Sequence, residues 1–230
     1  MAQPPGQLPI FPLNTVVFPG VTTPLHIFEQ RYRAMVRDLI AIQDPAARLF
    51  GVVAIREGYE VGTHEARSMY RIGTVVQLIE VHPYEDGRFH VETVGRHRMR
   101  VDAIDPSRAY LTAEVVQLHD EPPADLDPEL TAAQARRTLA TFEDYRALLT
   151  ELRGGEVLAG AMPGDPELLS YALSATALLS LRDRQSLLES ASAYERLVLV
   201  RHRLVEEIRA MRAVPSLPAT EVARTGWSPN

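Results

Sequence analysis

The sequence predicts an α+β protein, with a β-rich part over residues 1–118 followed by a helical bundle over 129–213. Three observations carry this. First, Pro9, Pro12 and Pro19 punctuate an apolar run from Leu8 to Gly20. Proline has no N–H and clashes with the preceding turn, so this run is extended rather than helical. Second, β-branched runs separated by turn residues continue to Leu118. Third, beyond Asp127 the apolar residues recur at three- and four-residue spacing, the period of a helix face.

The opening run reads as short extended segments bent at the prolines, with a turn at Pro19-Gly20. From Phe28 on, Tyr32, Met35, Val36, Leu39 and Ile42 mark an amphipathic helix that Asp44-Pro45 ends. Arg48 to Ile55 is apolar almost throughout and reads as a buried strand. Residues 56–71 read as a loop, long for a compact domain and therefore a candidate for function. Ile72 to His82 and Arg88 to Val94 form a hairpin around Asp86-Gly87, where glycine accepts positive φ without steric cost. Met99 to Ile104 and Tyr110 to Leu118 form a second pair around Asp105-Pro106-Ser107-Arg108.

Residues 119–128 are acidic and proline-rich and read as a linker. Two helix starts then use the same letters, Asp127-Pro128-Glu129-Leu130 and Asp165-Pro166-Glu167-Leu168. Aspartate caps the exposed N–H groups, proline fits the first turn and glutamate complements the dipole. The first helix carries Leu139, Phe142, Tyr145, Leu149 and Leu152 on one stripe and stops at Gly154-Gly155. The second carries Leu168, Ala172, Ala175 and Leu179, and a third, shorter helix holds Leu187 and Leu188. The last starts at the capping box Ser192-Ala193-Tyr194-Glu195 and runs through Leu197, Val200, Leu204, Ile208 and Met211. Pro215 and Pro218 end it, and 214–230 reads as an extended or disordered tail.

Composition narrows the chemistry. The 230 residues are 46% hydrophobic and 23% charged, with a formal net charge of −6. An acidic balance argues against an extended nucleic-acid surface. No cysteine is present, so thiolate nucleophiles, disulfides and Cys-ligated metals are excluded. The N-terminus lacks the basic and apolar regions of a signal peptide, and no apolar run is long enough to span a bilayer, so a cytoplasmic protein is expected. All 24 basic residues are arginine. A phosphate-binding loop of the Walker type needs a lysine, and so does a Ser-Lys dyad, so neither is present in these residues.

The segment Leu8-Pro9-Ile10-Phe11-Pro12-Leu13-Asn14-Thr15-Val16-Val17-Phe18-Pro19-Gly20 resembles the opening of the N-terminal, substrate-binding domain of Lon proteases. More of the same pattern follows in order. Pro24-Leu25, Phe28-Glu29, Tyr32, Phe50-Gly51-Val52-Val53 and Glu60-Val61-Gly62-Thr63 come first, then Tyr70-Arg71-Ile72-Gly73-Thr74-Val75, Val94-Gly95-Arg96 and Tyr110-Leu111-Thr112-Ala113-Glu114-Val115. The resemblance spans about residues 8–212 and implies a PUA-like pseudo-barrel followed by helices. It implies substrate recognition by a stand-alone protein, since the chain, ending at Asn230, leaves no length for ATPase or protease modules. The expected partners are unfolded or peptide-like protein segments, handed on to a protease or chaperone, and no cofactor is expected. Within the matching segments Phe18, Phe28, Tyr32 and Tyr70 are the candidate peptide-binding residues. Most residues of such a set are core, and those left exposed would suit apolar peptides, because the hydrophobic effect is non-directional.

Other constellations are weaker. Arg96, Arg98 and Arg100 alternate along a strand, and PUA-like folds include RNA binders, so this stripe is the alternative, nucleic-acid site, beside small-ligand binding in the barrel. It lacks interleaved aromatics, and a solvated strand face is the simpler reading. His82, His90 and Glu92 lie near one another across the hairpin without tetrahedral-site spacing, and His64-Glu65 lacks a second histidine, so no metal site is expected. No serine sits in a nucleophile-elbow motif.

Overall fold

The computed structural model describes residues 7–56, 69–124, 126–155, 158 and 160–213. Strand β1, Gln7–Leu13, pairs in parallel with β3, Leu49–Ala54, and antiparallel with β6, Thr112–Leu118. The Pro19-Gly20 turn, with Gly20 at φ 74°, docks on Gly95, whose carbonyl accepts from the Gly20 N–H at 2.9 Å. A Cβ on Gly95 would stand 2.1 Å from the Phe18 carbonyl oxygen, so only glycine allows this approach.

Strand β2, Thr22–Ile27, pairs antiparallel with the first half of β5, Phe89–Asp105. Strand β4, Ile72–Pro83, joins β5 through the Asp86-Gly87 turn. The strand order is β2-β5-β4-β3-β1-β6, and β6 returns to pair with the second half of β5. Five strands therefore close into a ring, with β2 appended outside it. The expected strands Arg88 to Val94 and Met99 to Ile104 are one continuous strand of 17 residues. Extra residues at Arg96 and Asp102 shift its register against β4 and β6. Such bulges bend a strand, which lets β5 serve β2 at one end and the ring closure at the other.

Side chains alternate between two faces. Ile10, Val53, Val75, Met99, Val101 and Ala113, from all five strands of the ring, cluster with Met69 and fill its interior. Phe11, Phe50, Val52, Val76, Leu78 and Val91 face the other way and bury Tyr32, Met35, Val36 and Leu39 of helix α1, Gln30–Ile40. Phe11 meets Tyr32 edge-on at 4.3 Å between ring centroids. Residues 57–68 of the expected loop, with its Glu60-Val61-Gly62-Thr63 motif and His64, lie outside the described residues, as do Asp125 and the expected tail 214–230.

The chain divides into two compact units, Met1–His119 and Asp120–Asn230. The second contains α2, Pro128–Arg153, α3, Pro166–Thr176, α4, Leu181–Glu189, and α5, Ala193–Ala213. Asp127 caps α2 and Asp165 caps α3, and Gly154 stops α2 at φ 70°. Ser192 accepts the Glu195 N–H at 3.2 Å, while the Glu195 carboxylate reaches back to the Ala191 N–H. Leu197, Val200, Leu204, Ile208 and Met211 of α5 are all buried.

Helix α3 departs from the expected stripe: Leu168 is 47% exposed, and the buried face holds Leu169, Leu173, Ser170 and Ser174. The serines tolerate burial because each hydroxyl donates to a carbonyl of the preceding turn, Ser170 to Glu167 at 2.6 Å and Ser174 to Ser170 at 2.7 Å. In α2, Thr138 rather than Leu139 is fully buried, donating to the Leu197 carbonyl at 3.1 Å. At the centre of this unit Arg196, with no exposed surface, holds the Asp120 carboxylate through both terminal nitrogens and lies 3.8 Å from the Tyr171 ring centroid.

Candidate functional site

The four sequence-predicted aromatics separate by burial. Phe18 has no exposed surface and Tyr32 is 3% exposed, so both belong to the core and offer a ligand nothing. Phe18 is held there by the Gly95 contact and Tyr32 by the buried face of α1. Phe28 is 36% exposed and Tyr70 half-buried, and these two are surface residues. They do not share a site. Phe28 follows Ile27, which pairs with Phe89 at the start of β5, whereas Arg71, next to Tyr70, accepts the Val101 N–H at 2.8 Å. Phe89 and Val101 are twelve steps apart along β5, roughly 40 Å of extended chain.

Around Phe28 the end of β2 and the tip of the β4–β5 hairpin form an aromatic patch. His26 stacks on Phe28 with ring centroids 6.4 Å apart, and meets Tyr84 edge-on at 5.6 Å. Tyr84 is 46% exposed. The Arg88 guanidinium lies over its ring at 5.6 Å. The hairpin tip is fixed by Asp86, whose carboxylate accepts from the Arg88 N–H at 3.0 Å, the main reason its pKa is lowered. Arg33 of α1 donates to the Asp86 carbonyl at 3.2 Å, and its guanidinium lies so close to Gly87, at φ 80°, that a Cβ there would collide with it. Helix, turn and patch are thus tied together. Tyr84 was legible as a residue of the hairpin turn and His26 had no element assigned to it, and only the pairing of β2 with β5 puts both beside Phe28.

Around Tyr70 the interior of the ring opens into a cavity of about 340 Å³. Ile10, Val53, Met69, Val101 and Ile104 line it, with Arg56, Tyr70, Arg71 and Asp102. Arg56 stacks over the Tyr70 ring at 5.4 Å. Arg71 donates to the carbonyls of Val101 and Asp102, each at 3.2 Å. Asp102 accepts from Arg100 at 2.7 and 3.3 Å, which with the nearby Arg71 charge lowers its pKa.

The arginine stripe is not a stripe of equivalent cations. Arg96 is the bulged residue and bonds Gln77, and Arg100 pairs with Asp102. Arg98 is 4% exposed and donates to the His119 carbonyl at 3.1 Å. A nucleic-acid backbone cannot reach the middle member. Among the described residues no group of three or more His, Asp or Glu is placed to hold a metal. His82 and His90 rings are 6.3 Å apart, with His82 beside Glu80 at 3.4 Å. No helix among the described residues is long and apolar enough to cross a membrane. Away from both surfaces, Tyr110 donates to Asp38 at 2.7 Å, and burial together with that bond pushes its pKa up to about 12.

A closed pseudo-barrel with an aromatic patch, a barrel-mouth cavity and a helical unit behind it in sequence is the framework of a binding domain. The chain belongs to the family of the ATP-dependent protease La (LON) substrate-binding domain, whose model matches residues 7–206. It is similar to the Lon N-terminal domain protein from Xanthomonas campestris, at 26% identity and a TM-score of 0.56, covering 83% of this chain and 94% of that one. Its fold also matches the N-terminal domain of the Mycobacterium avium complex Lon protease, at 18% identity and a TM-score of 0.61, covering 86% of this chain and 98% of that one. Lon protease 1 of Myxococcus xanthus is 24% identical over 206 residues, which is 89% of this chain and 25% of that protein. The chain spans about a quarter or less of the length of the curated relatives it matches.

Proposed function

We propose that this chain recognises exposed hydrophobic segments of protein substrates and acts by binding, without turning over nucleotide or peptide. The observation that carries the reading is the patch of His26, Phe28 and Tyr84, three exposed rings in which His26 contacts both of the others, on a hairpin and strand end. Aromatic side chains offer large contact area at small entropy cost and dominate binding hot spots. Membership of a substrate-binding domain family supports protein segments as the ligand class. Of the four candidate aromatics, Phe28 is the one that contributes here, with Tyr84 and His26 beside it. In the cell the bound segment would be passed to a protease or chaperone in the cytoplasm.

The test is a peptide array drawn from unfolded proteins, probed with the intact chain and with Phe28→Ala and Tyr84→Ala. Binding should track peptide apolarity and weaken about tenfold in either variant, the scale of a hot-spot truncation, with an unchanged melting temperature. Binding indifferent to both substitutions, or to peptide apolarity, refutes the reading. So does hydrolysis of ATP or casein above a mock preparation.

A further inference from the structure

The mouth of the ring differs from the aromatic patch in one respect: it combines an apolar floor with cationic walls. Ile10, Val53, Met69 and Val101 belong to the buried interior cluster and continue into the cavity. Among the described residues the charged lining is two arginines, Arg56 and Arg71, against one carboxylate, Asp102. That carboxylate is already matched by Arg100 at 2.7 Å. In a chain of net charge −6 the described lining thus carries a positive excess. Among the described residues the Arg56 guanidinium contacts the Tyr70 ring and has no hydrogen-bond partner.

We infer that this cavity takes the carboxy-terminal residue of a polypeptide, with an apolar side chain on the floor and the α-carboxylate on Arg56. The inference rests on the reading of the chain as a binder of protein segments, and names which part of a segment this second site takes. Size agrees: about 340 Å³ is at the small end of ligand sites, room for a residue or two rather than a longer stretch. Backbone chemistry agrees as well. The N–H of Tyr70 is bonded to the Ala54 carbonyl at 2.9 Å, that of Val101 to the Arg71 carbonyl at 2.8 Å, and Ile55 bridges to Met69. A segment passing through finds these N–H groups already paired and cannot add as a strand through them. An end-on residue needs no such bonds. Only at a chain end does a carboxylate sit on the same Cα as the apolar side chain. Arginine is the natural partner, since its planar fork matches a carboxylate with paired N–H donors. Stacking on Tyr70 holds that fork at the rim, and Arg71, bonded to the Val101 and Asp102 carbonyls, keeps a second positive charge beside it.

The experiment compares two fluorescein-labelled peptides of glycine and serine ending in leucine, identical except that one carries a free carboxylate and the other a carboxamide. A third peptide carries an internal apolar run and an amidated end. Binding to the intact chain is followed by fluorescence anisotropy. The free acid should bind about tenfold or more tighter than the amide, since a hydrogen bond to a charged group is worth at least that ratio. Arg56→Gln should abolish the difference while leaving the internal-run peptide unaffected. Equal affinity of acid and amide, with the internal-run peptide still bound, overturns this inference and leaves the proposed function standing. Loss of the internal-run peptide alone overturns the proposed function and not this one. A carboxylate preference that Arg56→Gln leaves intact also overturns it. Decanoate binding tighter than the free-acid peptide would assign the cavity to a small amphiphile and overturn the polypeptide end as occupant.

Discussion

Asp120→Ala offers the sharpest perturbation of the helical unit. The carboxylate lost is the partner of Arg196, a side chain with no exposed surface. Arg196 would keep Ser170 Oγ at 2.8 Å, the Leu187 carbonyl at 3.2 Å and the Tyr171 ring, but not a counter-charge among these. Tyr171 would lose its acceptor too, since its hydroxyl donates to Asp120 at 3.2 Å. Leaving a buried charge unpaired costs about 3–5 kcal/mol. For a unit of roughly a hundred residues each kcal/mol lowers the melting temperature by about 4–8 °C, so the fall should be at least about 12 °C. Thermal melting followed by far-ultraviolet circular dichroism, to which helices contribute most, reads this directly. The double variant Asp120→Ala with Arg196→Met should melt higher than Asp120→Ala alone, because it contains no stranded charge. An Asp120→Ala protein that melts within about 2 °C of the parent, below the shift of even one kcal/mol, refutes the reasoning. So does a double variant no better than the single one.

Three other outcomes are expected. Leu204→Asp, placing a carboxylate at a position with no exposed surface, should destabilise the helical unit by about several kcal/mol, seen as loss of cooperative melting. Tyr110, protonated in the fold up to about pH 12 against 10 for an ordinary tyrosine, contributes stability that is complete below pH 10 and lost between about pH 10 and 12; Tyr110→Phe should remove that part of the alkaline fall in chemical denaturation. Limited proteolysis should cut between Pro122 and Asp127 rather than at Asp120 or Glu121, because Asp120 is locked to Arg196 and the Glu121 N–H is bonded to the Ala191 carbonyl at 2.8 Å; resistance throughout this stretch would refute an exposed joint.

What was legible in the sequence followed from local chemistry. The stripe of α5 reads directly because its five apolar positions keep helical spacing and all face the core. The Asp-Pro-Glu-Leu starts read directly because a cap is a contact within four residues. Helix α3 was misphased because Ser170 and Ser174 look polar in sequence and are buried with their hydroxyls satisfied locally. The unity of β5 was hidden because bulges at Arg96 and Asp102 break the alternation that marks a strand. At the site, residue type alone could not tell core aromatics from surface ones. Phe18 and Phe28 each follow an aliphatic residue, Val17 and Ile27, and the docking of the Pro19-Gly20 turn on Gly95 goes with the burial of the first. Arg56 carried only the signal of standing at the start of the long loop 56–71, because the ring it stacks on, Tyr70, is fourteen positions away in sequence.

The closure of the ring also bears on a hazard specific to the proposed work. A protein that meets unfolded, apolar chains offers them a template wherever a strand leaves its N–H and C=O groups unpaired, and such edges seed aggregation. By pairing β6 with both β1 and β5, the ring gives each of its five strands a neighbour on both sides over part of its length. Among the described residues the outer part of β4, 80–83, pairs with β5 alone, and 115–118 of β6 likewise. The appended strand β2 is the longest exposed margin among the described strands, paired with β5 alone, and it is only six residues long with Pro24 near its middle. Pro24 lacks the donor that a growing sheet would need at that point. On the proposed function, a bound segment would then be met by the side chains of the aromatic patch rather than by the β2 backbone, and held without being recruited into the sheet.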